Sequence, residues 1–260
     1  MIRLKTAQEI DTIARAGEIV AGTLALVTER AQPGTSTAEL DKLAEEFIRG
    51  HAGAEPAFKG LYGFPATLCT SVNYEVVHGI PSTQRVLRSG DLFSVDVGVK
   101  LDGLFADAAL TAPIGEVSEE ARRLLSVTSE ALDLGVSVAQ PGGRLGDIGA
   151  AVQTHVEAAG FSVIRELVGH GVGYEPHEDP HVPNFGDIGT GARMDVGLVI
   201  AIEPMVNIGK RHIREMTDGW TVVTADRSLS AHFEHTVGVM EDGPRVLTRL
   251  PVKSAAGRKL

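Results

Sequence analysis

The feature that most restricts the fold is a repeat. Ala31-Gln32-Pro33-Gly34 recurs 108 residues later as Ala139-Gln140-Pro141-Gly142. Each copy closes one helical stretch and precedes another. Residues 7–29 carry a helical apolar stripe that includes Ile10, Ile13, Ile19, Val20, Leu24 and Val27. A second helix is expected over about 36–52, started by Ser36 or Thr37, with Leu40, Leu43, Phe47 and Ile48 inward. On either side of the second copy of the string, helices are expected over 118–138 and about 145–159. The segment 90–96, ending in Asp96, matches 197–203, ending in Glu203, at an offset of 107. A four-letter string recurs by chance; a helix, Pro-Gly, helix, strand order with an acid at the matching strand position points to an internal duplication. The expected fold class is α+β, with two pseudo-symmetric halves over roughly 7–113 and 118–245 in a single domain, 1–260. A polar, basic tail, 251–260, is expected to fray.

Residues 91–107 read as a β-hairpin. Positions 92–99 alternate as a half-buried strand does, and Asp102-Gly103 is a hairpin turn signal. With the loop at Asp102-Gly103, Leu101 pairs with Leu104 and Asp96 lies opposite Ala109, diagonal to Asp107. With the loop at Leu101-Asp102, Asp96 lies opposite Asp107. Either register puts both carboxylates on one face. Like charges so placed destabilise a sheet, and a buried carboxylate is costly without a partner. A divalent cation shared by the two resolves the conflict. A solvent-facing pair of aspartates, or one aspartate paired to a distant arginine, satisfies the same pattern.

Glu203 ends the apolar run 198–202 and is followed by Pro204. Glu234 lies in 229–239, where alternation puts His232, Glu234 and Thr236 on one face. The duplication makes Glu203 and Glu234 the counterparts of Asp96 and Asp107. Four carboxylates in one cleft carry four negative charges, which two divalent ions neutralise. Such a donor set with an imidazole suits Mn, Fe, Co or Zn. His170, in Gly169-His170-Gly171, is the candidate nitrogen ligand; His78, in Val77-His78-Gly79, is its echo in the first half. A solvent-reaching glutamate and hydrogen-bonded structural histidines are the plainer explanations of each residue taken alone.

Length and composition exclude other classes. The 260 residues give ample core, and the net charge of −10 argues against a general binder of DNA or of anionic membranes. One cysteine, Cys69, rules out an internal disulfide and a cysteine-rich zinc module. No apolar run has the length of a membrane span. No signal-type segment precedes the first helix, so a cytoplasmic location is expected.

The ordered set Asp96, Asp107, His170, Glu203 and Glu234 resembles the ligands of methionine aminopeptidases of the type I bacterial form, which have the pita-bread (creatinase/aminopeptidase) fold. Val77-His78-Gly79-Ile80-Pro81, Gly169-His170-Gly171-Val172-Gly173, Ile202-Glu203-Pro204-Met205, Asp218-Gly219-Trp220-Thr221 and Ser230-Ala231-His232-Phe233-Glu234-His235-Thr236 carry the likeness. The resemblance implies antiparallel sheets around a central site with two divalent ions (Co, Mn, Fe, Zn or Ni). It implies that Asp107 and Glu234 bridge the ions, that Asp96 binds one, and that His170 and Glu203 complete the other. A hydroxide between the ions would attack the first peptide carbonyl, with Glu203 shuttling its proton. His177 would hold the scissile carbonyl, and His78 would contact the scissile amide. Phe64, Cys69 and Trp220 would line the methionine pocket. The implied activity removes initiator methionine from nascent chains with a small second residue, by a monomer.

Leu61, Tyr62 and Pro176 depart from relatives at positions that bear on pocket shape. The resemblance also implies a ribosome contact through the basic loop 210–214, which a solvated hairpin turn equally explains. Rivals are an Xaa-Pro aminopeptidase or prolidase, expected to carry an added N-terminal domain, and a metal-free binding module of the same fold, which would have lost ligands.

Overall fold

A computed structural model describes residues 1–249. The four helices are α1 (Ala7–Arg30), α2 (Thr37–Arg49), α3 (Glu119–Ser137) and α4 (Leu145–Ala158). The strands of the first half are β1 (Ala54–Pro56), β2 (Leu68–Val72), β3 (Glu75–Val77), β4 (Leu92–Leu101) and β5 (Leu104–Pro113). Those of the second are β6 (Ser162–Val163), β7 (Gly169–Gly171), β8 (Glu178–Val182), β9 (Val199–Ile202), β10 (Met205–Asn207), β11 (Ile213–Glu215), β12 (Val222–Thr224), β13 (Ser230–His232), β14 (His235–Met240) and β15 (Gly243–Val246). The tail expected to fray, 251–260, lies outside the described residues.

Local chemistry starts the helices where the sequence places them. Thr6 and Glu9 form a reciprocal cap on α1, and Ser36 and Glu39 do the same on α2. Ser118 accepts the Ala121 N–H at the start of α3. Helices α1 and α2 bury their stripes against the β4–β5 hairpin in one core; α3 and α4 cover β9, β10 and β14 in another. Each pair of helices thus covers antiparallel strands of its own core.

The hairpin adopts the Asp102-Gly103 register: Leu101 pairs with Leu104 and Asp96 with Ala109, while Asp107 lies opposite Gly98. Asp102 (φ 49°) and Gly103 (φ 85°) both take the left-handed conformation that such a turn requires. The half-buried reading of β4 needs correction. Nearly all of its residues are buried, on both faces, because α1 covers one and the second half closes over the other.

The second half differs from the first in a way that matters. Its counterpart hairpin is broken in both strands. Residues 229–239 form not one strand but β13 and β14, separated by Phe233 and Glu234. The partner strand breaks into β9 and β10 around Glu203 and Pro204. Ile202 pairs with His235 on one side of the gap and Met205 with His232 on the other. The register therefore runs through the break and sets Glu203 against Glu234. Pro204 has no N–H to give a ladder, which accounts for the opening on its strand.

Candidate metal centre

Five donors arrive from both halves. Asp96 is on β4, Asp107 on β5 and His170 on β7, while Glu203 and Glu234 occupy the break in the second hairpin. Donor atoms of Asp107, His170 and Glu234 all lie within 4.8 Å of one another. His170 Nε2 is 3.6 Å from Asp107 Oδ2 and 3.5 Å from Glu203 Oε1. Asp96, Asp107, Glu203 and Glu234 share one cavity of about 260 Å³. None of the lysines or arginines among the described residues lines it.

Hydrogen bonds across more than a hundred residues hold the two halves edge to edge here. The Glu234 N–H donates to the Ala109 carbonyl (2.8 Å), and the Asp107 N–H donates to Thr236 Oγ1 (3.1 Å). Thr111 Oγ1 donates to the His232 carbonyl (2.9 Å), and the His232 N–H donates back to Thr111 Oγ1 (2.8 Å).

Burial of so much negative charge distorts the acids. Burial first, and then the Asp107 and Glu203 carboxylates, push Asp96 up to about 8 against the opposing pull of His232. Glu203 is pushed up to about 8, mainly by burial, with His170 opposing and Asp107 adding. Burial and the neighbouring acids raise Glu234 well above the carboxylate range. Asp96 Oδ1 is buried without a hydrogen-bond partner among the described residues. A cluster of acids that cannot all ionise, one of them with an orphan oxygen, fits a divalent cation: the ion replaces the protons and supplies the missing partner.

His78 and His177 line the same cavity. His78 follows β3 in a left-handed conformation (φ 60°), a strained backbone typical of functional positions. The His177 ring meets the His170 ring edge-on at 4.4 Å between centroids. Partial loss of hydration at the cavity mouth, followed by the neighbouring His170, lowers His177 to about 4, although the residue is open to solvent on one side. Phe64, Cys69 and Trp220 lie on the apolar wall of the cavity, together with Phe58. Phe64 and Trp220 are in edge contact at 5.1 Å. Leu61 and Tyr62 line the cavity too, whereas Pro176 is buried away from it.

The model of metallopeptidase family M24 matches residues 11–241. The chain belongs to that family. It is similar to the methionine aminopeptidase of Clostridium perfringens, with 52% identity over 95% of this chain and 99% of that one. A crystal structure of methionine aminopeptidase from Thermotoga maritima superposes with a TM-score of 0.94 at 45% identity, covering 96% of this chain and all of the other. The prolidase from Pyrococcus furiosus shares the fold alone, with a TM-score of 0.75 at 23% identity over 65% of its own chain. The pita-bread architecture of this M24 chain is thus common to both branches, and a family of metallopeptidases accounts for an acid cluster that calls for divalent metal.

Two residues of this M24 site escaped the sequence reading of function. His232 is 2% exposed, lies 3.6 Å from Glu203 Oε2 through its Nε2, and has no hydrogen bond on that atom among the described residues. Thr236 anchors Asp107. Alternation already put both on the face of Glu234, which was the available signal. Their partners, 29 and 129 residues away, were not readable from it.

Proposed function

We propose that this M24 chain is a methionyl aminopeptidase that removes the initiator methionine from nascent polypeptides bearing a small second residue. One observation carries the reading: a single small cavity joins an acid cluster built for metal to an apolar wall of Phe64, Cys69 and Trp220. Identity of 52% to a methionine aminopeptidase along nearly the full length supports it.

In this reading Asp96, Asp107, His170, Glu203 and Glu234 hold two divalent ions, whose charge balances that of the four carboxylates. The bound metal supplies Lewis acidity and lowers the pKa of water into the working range. Glu203, beside that water, would accept its proton and return it. His177 donates a hydrogen bond to the scissile carbonyl and to the negative charge that develops on it. His78 contacts the scissile amide. The free substrate amine would lie near the second ion, which restricts cleavage to an unblocked N-terminus. The thioether packs on soft and aromatic surfaces. The catalytic unit is the single domain 1–260, acting as a cytoplasmic monomer.

Mass spectrometry of the residue released from a mixture of Met-Ala, Met-Lys, Leu-Ala and Ala-Pro peptides tests the reading, with Mn or Co added and a chelated control. Metal-dependent release of Met from the Met-Ala peptide alone is expected. Cleavage of Ala-Pro would move the chain to the proline-specific branch. Failure to bind any divalent metal would favour a binding module.

The basic loop 210–214 is part of the proposal as a ribosome contact. Glu166 partly neutralises it, at 3.5 Å from Arg211. Co-sedimentation with ribosomes that survives Lys210→Glu plus Arg211→Glu would discard the contact.

A further inference from the structure

We infer that the segment Arg3–Lys5 is a strap that positions His177 through a buried ion pair between Lys5 and Glu178. The inference rests on the aminopeptidase reading for the role of His177. The Lys5 side chain is wholly buried, and its ammonium pairs with the Glu178 carboxylate, which is 6% exposed. Arg3 reaches the other oxygen of the same carboxylate at 2.6 Å. Glu178 directly follows His177 and pairs across the sheet with Gly171, next to His170. A carboxylate fixed at Glu178 therefore fixes the main chain between the two histidines.

The rest of the fold makes room for this lysine. The Lys5 N–H donates to the Gly197 carbonyl at 2.7 Å. Gly197 has φ 94°, and a Cβ there would come within 2.6 Å of the Lys5 carbonyl oxygen. Gly173 has φ 143°, and a Cβ there would lie 2.5 Å from Lys5 Cε. Gly173 thus leaves room for the Lys5 side chain, and Gly197 for its main chain. Tyr174 closes over the side chain: its ring centroid is 4.7 Å from the Arg3 guanidinium and 5.2 Å from the Lys5 ammonium. The Tyr174 hydroxyl donates to Glu9 at 2.9 Å, and Glu9 caps α1. The strap is thereby tied to α1 at one end and to the His177 loop at the other.

Stability alone does not explain such a pair. Apolar side chains of similar volume serve a core as well as a buried ion pair or better, whereas an ion pair defines direction and spacing. The His177 ring needs that help. Among the described residues it is held by ring contacts with His170 and Tyr62, not by a hydrogen bond. Catalysis is sensitive to displacements of about 1 Å, which can cost about a hundredfold in rate.

The test is a double-mutant cycle on the full chain with saturating Mn. Lys5→Met, Glu178→Gln and the apolar pair Lys5→Met with Glu178→Leu are each made alone and together with His177→Ala. The pair variant restores packing without charge, so a merely structural role predicts recovery of activity with it. We expect kcat on a Met-Ala-Ser peptide to fall about ten- to a hundredfold in all three, with KM and Mn affinity within about twofold of the parent. In the His177→Ala background the same changes should cost nothing further. A loss that multiplies with that of His177→Ala, a recovery in the pair variant, or a matching loss of Mn affinity would overturn the strap. Long-range imidazole NMR spectra give a readout independent of activity: Lys5→Met should move the His177 signals and leave those of His51 in place. Unmoved His177 signals overturn the strap even if the parent releases no methionine, a result that would separately reject the aminopeptidase reading.

Discussion

Thr236 Oγ1 shares its one proton between the Asp107 carbonyl, at 2.7 Å, and Asp107 Oδ1, at 3.0 Å. A hydroxyl of the second half thereby aims a carboxylate of the first into the shared cavity. The two residues are 129 positions apart. Partners that orient a metal ligand are worth about 10- to 100-fold in metal affinity. Thr236→Val should weaken Mn binding by that order in calorimetry, and excess Mn should recover most of the activity. Thr236→Ser should behave as the parent. Equal Mn affinity in Thr236→Val would deny the hydroxyl this part.

Chelation should expose a pH-dependent instability. Asp96 and Glu203 are held up to about 8 in the folded chain, so the folded state binds more protons than the unfolded one above the ordinary carboxylate range. Stability therefore falls as pH rises through about 8. His177 and His235, lowered to about 4, act in the opposite sense only below their ordinary value of 6.5. Scanning calorimetry with chelator should show Tm falling by about 5 °C or more between pH 6.5 and 8.5. Saturating Mn should abolish the slope. A flat Tm with chelator would contradict the account.

Removing one acid should separate stability from function. Asp96→Asn keeps the shape and takes a charge out of a cavity with none of the described cations on its wall. The metal-free variant should melt at or above the parent at pH 8, and its activity should be lost by about a thousandfold or more. A metal-free Tm well below that of the parent would mean that the carboxylate stabilises the fold.

His232 faces Glu203 at 3.6 Å. Burial holds its pKa below the ordinary histidine value, so it is a neutral imidazole beside the proposed proton shuttle. His232→Ala should lower kcat about tenfold on a Met-Ala peptide, the scale for loss of a side chain that packs beside a metal ligand. A change in KM alone would instead place His232 in substrate binding.

Tyr62 is 75% exposed at the cavity mouth, holds φ 51° between Gly60 and Gly63, and stacks on His177 at 6.1 Å. Asn tolerates this backbone better than Tyr. Tyr62→Asn should leave Tm unchanged or slightly raised while KM rises about threefold or more for peptides of four residues. Dipeptide KM should move less, because only longer substrates extend past the mouth. Equal shifts for both lengths would remove Tyr62 from contact with the outgoing chain.

What was legible in the sequence follows from interactions of short range. The helix start at Ser36, the Asp102-Gly103 turn and the alternation that puts Asp96 and Asp107 on one face all act within a few residues. The repeat carried that local code across the chain and made Glu203 and Glu234 recognisable as counterparts. Only the tertiary structure decided the rest. It covered the second face of β4, opened both strands of the second hairpin at Glu203 and Glu234, and brought Thr236 onto Asp107 and Lys5 onto Glu178. These contacts join residues separated by up to 173 positions. Side-chain periodicity reports which face a residue takes, not which distant surface that face will meet; that choice is made by the packing of two cores against each other.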